Sequence, residues 1–294
     1  TFLSAICLYK ITKKYFCKLA GVICLALFLL YFPIQIRNFY ILTEMLFIDL
    51  AIILSYFFVF FKKKYFPLIV FLLILLISIR PNGILFLFSI LVCIFLFLIN
   101  NKKYYYLLLS LIFVSILSIP TINLLDSYIN DLNLIDSISN KGIIWGWSLE
   151  NNERCRISCL GVELDNSNYK NNLFDVLRFI LNNFKDFFMI FLSKVFWLLL
   201  RARPYYSDLH NFYILFFDFI IYSGFFYGFY KRPKKNFSVN LILLFILLNI
   251  FLVGLTFADW SGRFSLYFLP LIMIFSSYGL LIYLKKISIL IFKK

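Results

Sequence analysis

The chain has 294 residues, of which 63% are hydrophobic and 15% charged, and its mean hydropathy is +0.92. Soluble domains are near half apolar, so this composition excludes a soluble globular protein; strand alternation of the outer-membrane barrel kind is absent, and the class is an all-α polytopic membrane protein. The net charge of +15 would suggest nucleic acid in a soluble protein, but its placement excludes that partner.

Seventeen of the 29 basic residues fall in short runs between apolar stretches: Lys10, Lys13, Lys14, Lys18, Lys62, Lys63, Lys64, Lys102, Lys103, Lys231, Arg232, Lys234, Lys235, Lys285, Lys286, Lys293 and Lys294. No acid shares those runs. Basic residues gather on the cytoplasmic side of a membrane protein, where anionic headgroups also attract them. These runs therefore read as inside, and the four tryptophans (Trp145, Trp147, Trp197 and Trp260) all fall on the outer side.

In chain order, Thr1 opens within an apolar segment too short to span. The expectation is the end of a helix that begins upstream, the chain being truncated at its N terminus. Residues 13–18 read as a cytoplasmic turn, 20–36 as an outward span breaking near Pro33, and 41–61 as the return, carrying Glu44 and Asp49. Residues 66–79 and 84–100 form a hairpin about the tetrapeptide Arg80-Pro81-Asn82-Gly83. Proline starts the second helix well and Asn-Gly readily turns. Residues 104–119 go out again, and 121–172 form the only long polar stretch, an outer cap. Cys155 and Cys159 lie there, where a disulfide can survive.

Residues 173–200 are apolar enough to cross but contain Asp175, Arg178, Lys185, Asp186 and Lys194. A crossing there would place both later basic runs outside, so the reading is interfacial or re-entrant helices on the outer leaflet. Spans at 212–230, 237–257 and 264–284 complete eight crossings and a partial one. The organisation is thus 1–120 transmembrane, 121–211 outer loop and interfacial helices, and 212–294 transmembrane.

No soluble-enzyme motif is present. Chemistry-bearing residues gather instead at the outer boundary: Arg80, Arg201, Arg203, His210 and Arg263, with Glu44, Asp208 and Asp259. Arginine's planar fork binds phosphate bidentately, so the cluster suits a lipid phosphate. The competing reading is of snorkelling or paired charges at helix ends. Asp49 and Asp218 lie deeper along their helices, as functional acids or as structural hydrogen-bond partners.

Leu42-Thr43-Glu44-Met45-Leu46-Phe47, then Ser78-Ile79-Arg80-Pro81-Asn82-Gly83, then Gly262-Arg263-Phe264 running into Leu269-Pro270 and Tyr278-Gly279, stand in an order and spacing that resembles the GT-C glycosyltransferases. The similarity is to bacterial relatives of the protein O-mannosyltransferases and of the lipid A aminoarabinose transferase, and it covers nearly the whole chain except 121–200. The resemblance implies a GT-C-like helical bundle that transfers a sugar from a polyprenyl-phosphate donor to a glycan, lipid or protein acceptor. The reaction would occur on the periplasmic face of a bacterial inner membrane. Taken with the outer cluster, it leads to substrate binding by Arg80, Arg201, Arg263, Glu44 and Asp259, and it allows a divalent metal ion. It puts the catalytic acid in a loop upstream of Thr1, so this chain alone is expected to transfer no sugar. A lipid-linked glycan polymerase or ligase, or a transporter or flippase without chemistry, are the alternatives.

Overall fold

The computed structural model describes residues 1–37, 43–101, 135, 144–145, 172–203, 206–232, 236–256, 258–259 and 262–292. The described residues are overwhelmingly helical: α1 (Phe2–Tyr15), α2 (Lys18–Leu30), α3 (Phe32–Arg37), α4 (Thr43–Val59), α5 (Phe66–Ile79), α6 (Ile84–Asn100), α7 (Leu173–Asn182), α8 (Phe184–Leu200), α9 (Asp208–Tyr230), α10 (Phe237–Leu255) and α11 (Leu269–Phe292). Two short strands, β1 (Ile144–Trp145) and β2 (Ala258–Asp259), pair in parallel. The expected span 104–119 and the Cys155 and Cys159 pair lie outside the described residues.

Among the described residues four helices are long and apolar enough to cross a membrane: Pro81–Asn100, Asp208–Tyr230, Phe237–Leu255 and Leu269–Lys286. The protein is an all-α membrane protein on that ground. The other expected crossings among the described residues are shorter. A span needs about 20 residues at a 1.5 Å rise, whereas α2, α4 and α5 have 13, 17 and 14. One turn expected in the sequence is helix instead: α1 continues through Lys13 and Lys14 and breaks only at Phe16. Those lysines gain a role by staying helical. Lys14 donates to the Val59 carbonyl at the end of α4 and lies 4.5 Å over the Phe60 ring.

The chain divides into two compact units. The first comprises residues 1–93, 207–249 and 265–294; the second comprises 94–206 and 250–264.

In the first unit, α9 and α11 pack closely because glycines line their contact. Gly224 and Gly228 are one turn apart on α9, and a Cβ on Gly224 would come within 2.6 Å of the Ser276 carbonyl oxygen. Ser276 donates across the same seam to the Ile221 carbonyl at 2.6 Å. Small residues let membrane helices approach until van der Waals contact and an interhelical hydrogen bond hold them. Elsewhere Tyr213 hydroxyl spans the break at Tyr31, donating to the Leu30 carbonyl at 2.8 Å and accepting from the Phe32 amide at 3.1 Å.

The basic ends of several helices in this unit meet. Tyr15 and the Ser238 amide reach Asn236, Ser238 donates to the Phe58 carbonyl, and Lys286 lies 5.1 Å over the Tyr227 ring. Lys62, Lys63 and Lys64 form the turn between α4 and α5. The opposite ends of those two helices therefore lie away from the lysines, and there Glu44 and Arg80 meet.

In the second unit, α7 begins with an N-cap. Asn172 accepts from the Asp175 amide at 2.8 Å and donates from its side-chain nitrogen to the Asp175 carboxylate at 3.0 Å. The inner faces of α7 and α8 bury Val176, Phe179 and Phe187 with Ile135, and Phe191 and Leu255 pack on that cluster.

Candidate functional site

The sequence sets Glu44 in the first turn of α4, where the amide-rich end of a helix favours a carboxylate. Arg80 is the residue at which α5 stops. Pro81 cannot donate an amide hydrogen to continue α5, so the chain turns through Pro81–Gly83 into α6. Gly83 completes the turn: its amide donates to the Arg80 carbonyl at 2.9 Å, and a Cβ there would come within 2.5 Å of the Leu76 carbonyl oxygen.

This turn aims the Arg80 guanidinium at three groups. One terminal nitrogen forms an ion pair with the Glu44 carboxylate. The other donates to the Tyr267 hydroxyl at 2.5 Å, and Nε donates to the Thr43 hydroxyl at 3.3 Å. The guanidinium carbon also lies 5.4 Å from the centre of the Tyr267 ring, within range of a cation–π attraction. Tyr267 is buried and set edge-on against Phe47, ring centres 5.1 Å apart. The Glu44 side chain is 3% exposed and that of Arg80 24%, so an inward carboxylate meets a cation that still reaches the surface. Among the described residues these partners engage three of the five guanidinium N–H groups.

Residues from the three segments that carry the resemblance thus meet, and the one that joins Arg80 from the third segment is Tyr267. Arg263 opens the 3₁₀ turn Arg263–Tyr267 and belongs to the second unit. Sequence reasoning missed Tyr267 because it is one of 59 phenylalanines and tyrosines. Its place four residues after an arginine at the start of a span was the available signal.

The other expected site residues are placed as follows. Arg201, in the second unit, is buried, has φ +51° after the last turn of α8, and lays its aliphatic stem against Gly262. Asp259 lies in β2, its backbone paired with Trp145; its side chain is outside the described residues. Arg203 is buried and donates to the Trp197 and Ala202 carbonyls, both at 3.0 Å. The bond to Trp197 meets the last turn of α8, which favours the helix-end reading for this residue. Asp208 and His210 form the exposed first turn of α9, which Ser207 caps. Asp49 accepts from Ser4 at 2.5 Å and from the Thr1 nitrogen at 2.7 Å, and Asp218 is buried in α9.

Lys194, absent from the expected site, is fully buried in α8 and donates to the Thr256 carbonyl at 2.5 Å. Burial lowers its pKa from 10.5 to about 8, because the charged form is poorly solvated there.

Among the described residues no three His, Cys, Asp or Glu side chains gather to hold a metal ion, and no step is assigned to one. No protein family, curated protein or solved structure matches the chain.

Proposed function

We propose that the protein is an integral membrane glycosyltransferase that takes a sugar from a polyprenyl-phosphate donor on the periplasmic face of a bacterial inner membrane. One observation carries the reading: Thr43, Glu44, Arg80 and Tyr267, from the segments whose order resembles the GT-C enzymes, join in one hydrogen-bonded cluster. The cluster lies at the end of α4 and α5 away from the Lys62–Lys64 turn, as an outward-facing site requires.

In this mechanism Arg80 does not meet the donor as a bare cation. Glu44 neutralises it and, with Tyr267, fixes the plane of its fork before the donor phosphate arrives. Such a preset fork confers orientation more than raw attraction. Arg201, Arg263 and Asp259, all in the second unit, are the further substrate-binding residues of the proposal. A catalytic acid would remove the acceptor's proton as general base.

The test is sugar release from radiolabelled polyprenyl-phosphate sugars by the gene's whole product in proteoliposomes. Expected is transfer that falls sharply in Arg80→Lys. No release from any such donor, with the protein folded, would exclude this chemistry and leave a transporter.

A further inference from the structure

We propose that the exposed apolar face along α7 and the first half of α8 is a lipid-binding surface, seated at the boundary between phospholipid headgroups and acyl chains. It is independent of the proposed chemistry.

Phe174, Leu177 and Leu181 stand three and four residues apart on α7, and Phe184, Phe188 and Leu192 four apart on α8, all exposed. Phe174 and Leu181 are 77% and 73% exposed, more than an apolar side chain facing only water would favour. The spacing makes one stripe per helix.

Depth follows from the buried side of the same helices. Phe191 packs on Phe251 with ring centres 5.6 Å apart, and a Cβ on Gly254 would strike the Phe191 ring. Leu255 joins the Phe179 and Phe187 cluster, and Lys194 reaches the Thr256 carbonyl. All these partners fall at the end of α10, a helix long enough to cross the membrane. At 1.5 Å per residue, 251 to 256 covers about 8 Å of depth. The pair is therefore anchored at the mouth of a span, and α7, about 15 Å long, is half of what crossing requires.

Charge selects the occupant. Arg178 and Lys185 are exposed beside the stripe, while Asp175 and Asp186 are half-buried and Asp175 is held by Asn172. Cations flanking an apolar stripe match phosphate headgroups above acyl chains. A protein partner would have to cover a surface that already continues a membrane-crossing helix.

The experiment uses the whole protein in vesicles of phosphatidylethanolamine and phosphatidylglycerol, with p-benzoylphenylalanine replacing Leu177, Leu181 or Asn182 one at a time. All three positions are exposed, so folding should tolerate the change. On irradiation, phospholipid adducts at 177 and 181 should exceed those at 182 several-fold. Equal labelling at the three positions, a cross-linked second copy, or no lipid adduct at 177 and 181 would overturn the proposal.

Discussion

Arg80 and Arg203 both stand just beyond the last turn of a helix, yet their guanidiniums are engaged in different ways. Arg203 turns back and donates to the Trp197 carbonyl in the last turn of α8 and to the adjacent Ala202 carbonyl. Lys14 caps α4 and Lys194 donates to the Thr256 carbonyl after α10, each from a neighbouring helix. These cations meet the negative end of a helix dipole and carbonyls the helix cannot pair itself. Arg80 turns away from α5 toward a carboxylate, a phenol and a threonine on other segments. The lesson is that a boundary arginine is identified by its acceptors. Main-chain carbonyls make it a cap, whereas side chains from two other segments make it a junction whose geometry those segments must share.

The largest effect should come from breaking the junction. Arg80→Met strands the Glu44 carboxylate, and removing one partner of a buried pair costs about 3–5 kcal/mol. The lower end applies, since the Arg80 side chain is 24% exposed. Thermal unfolding in detergent should fall clearly, and adding Glu44→Gln should recover much of the loss. A double variant as unstable as the sum of the single ones would make Arg80 just another helix-end charge.

Arg203→Met should be milder, costing about 1.5–3 kcal/mol for charge-assisted hydrogen bonds. Its signature is local, as faster amide exchange near the end of α8. Arg203→Lys should restore much of this, because a carbonyl needs no fork. Arg80→Lys should not restore the junction, because one ammonium cannot serve Glu44, Tyr267 and Thr43 from one plane. Equal rescue by lysine at both positions would erase the distinction.

Tyr267→Phe removes one hydroxyl and keeps the ring over the guanidinium. About 1 kcal/mol of stability should go with the hydrogen bond. Unchanged unfolding would mean that the ring alone holds Arg80.

What the sequence revealed tracks how singular each residue's chemistry is. The RPNG turn was legible because proline, asparagine and glycine each have few uses between two apolar runs, and the structure has α5 and α6 meeting there. For 173–200 the sequence led to helical segments, and two helices stand there, broken at Asn183. Arg203 was illegible as a cap: an arginine's acceptors depend on where the chain turns, and Arg201, two residues away, takes φ +51°. The Gly224–Gly228 seam passed unnoticed because its partner glycine, Gly279, lies far along the chain. Lys194 counted only as an argument against crossing, although its position suits the carbonyl of Thr256.

Lys194 provides the smallest effect at neutral pH and a pH dependence of definite sign. Its pKa is about 8 in the folded protein against an ordinary 10.5. Between those values the unfolded chain binds more protons, so stability rises with pH through that window. Below about 8 both states carry the charge, and the folded protein bears its full desolvation. Above about 10.5 neither does. The hydrogen bond to Thr256 can persist throughout, since a neutral amine still donates. Lys194→Met should therefore leave stability near pH 7 almost unchanged, losing one hydrogen bond and one buried charge together. The difference between wild type and Lys194→Met should grow in favour of wild type from pH 8 to pH 10, which cancels other groups titrating in that range. A difference constant with pH would mean that Lys194 keeps its ordinary pKa and reaches water.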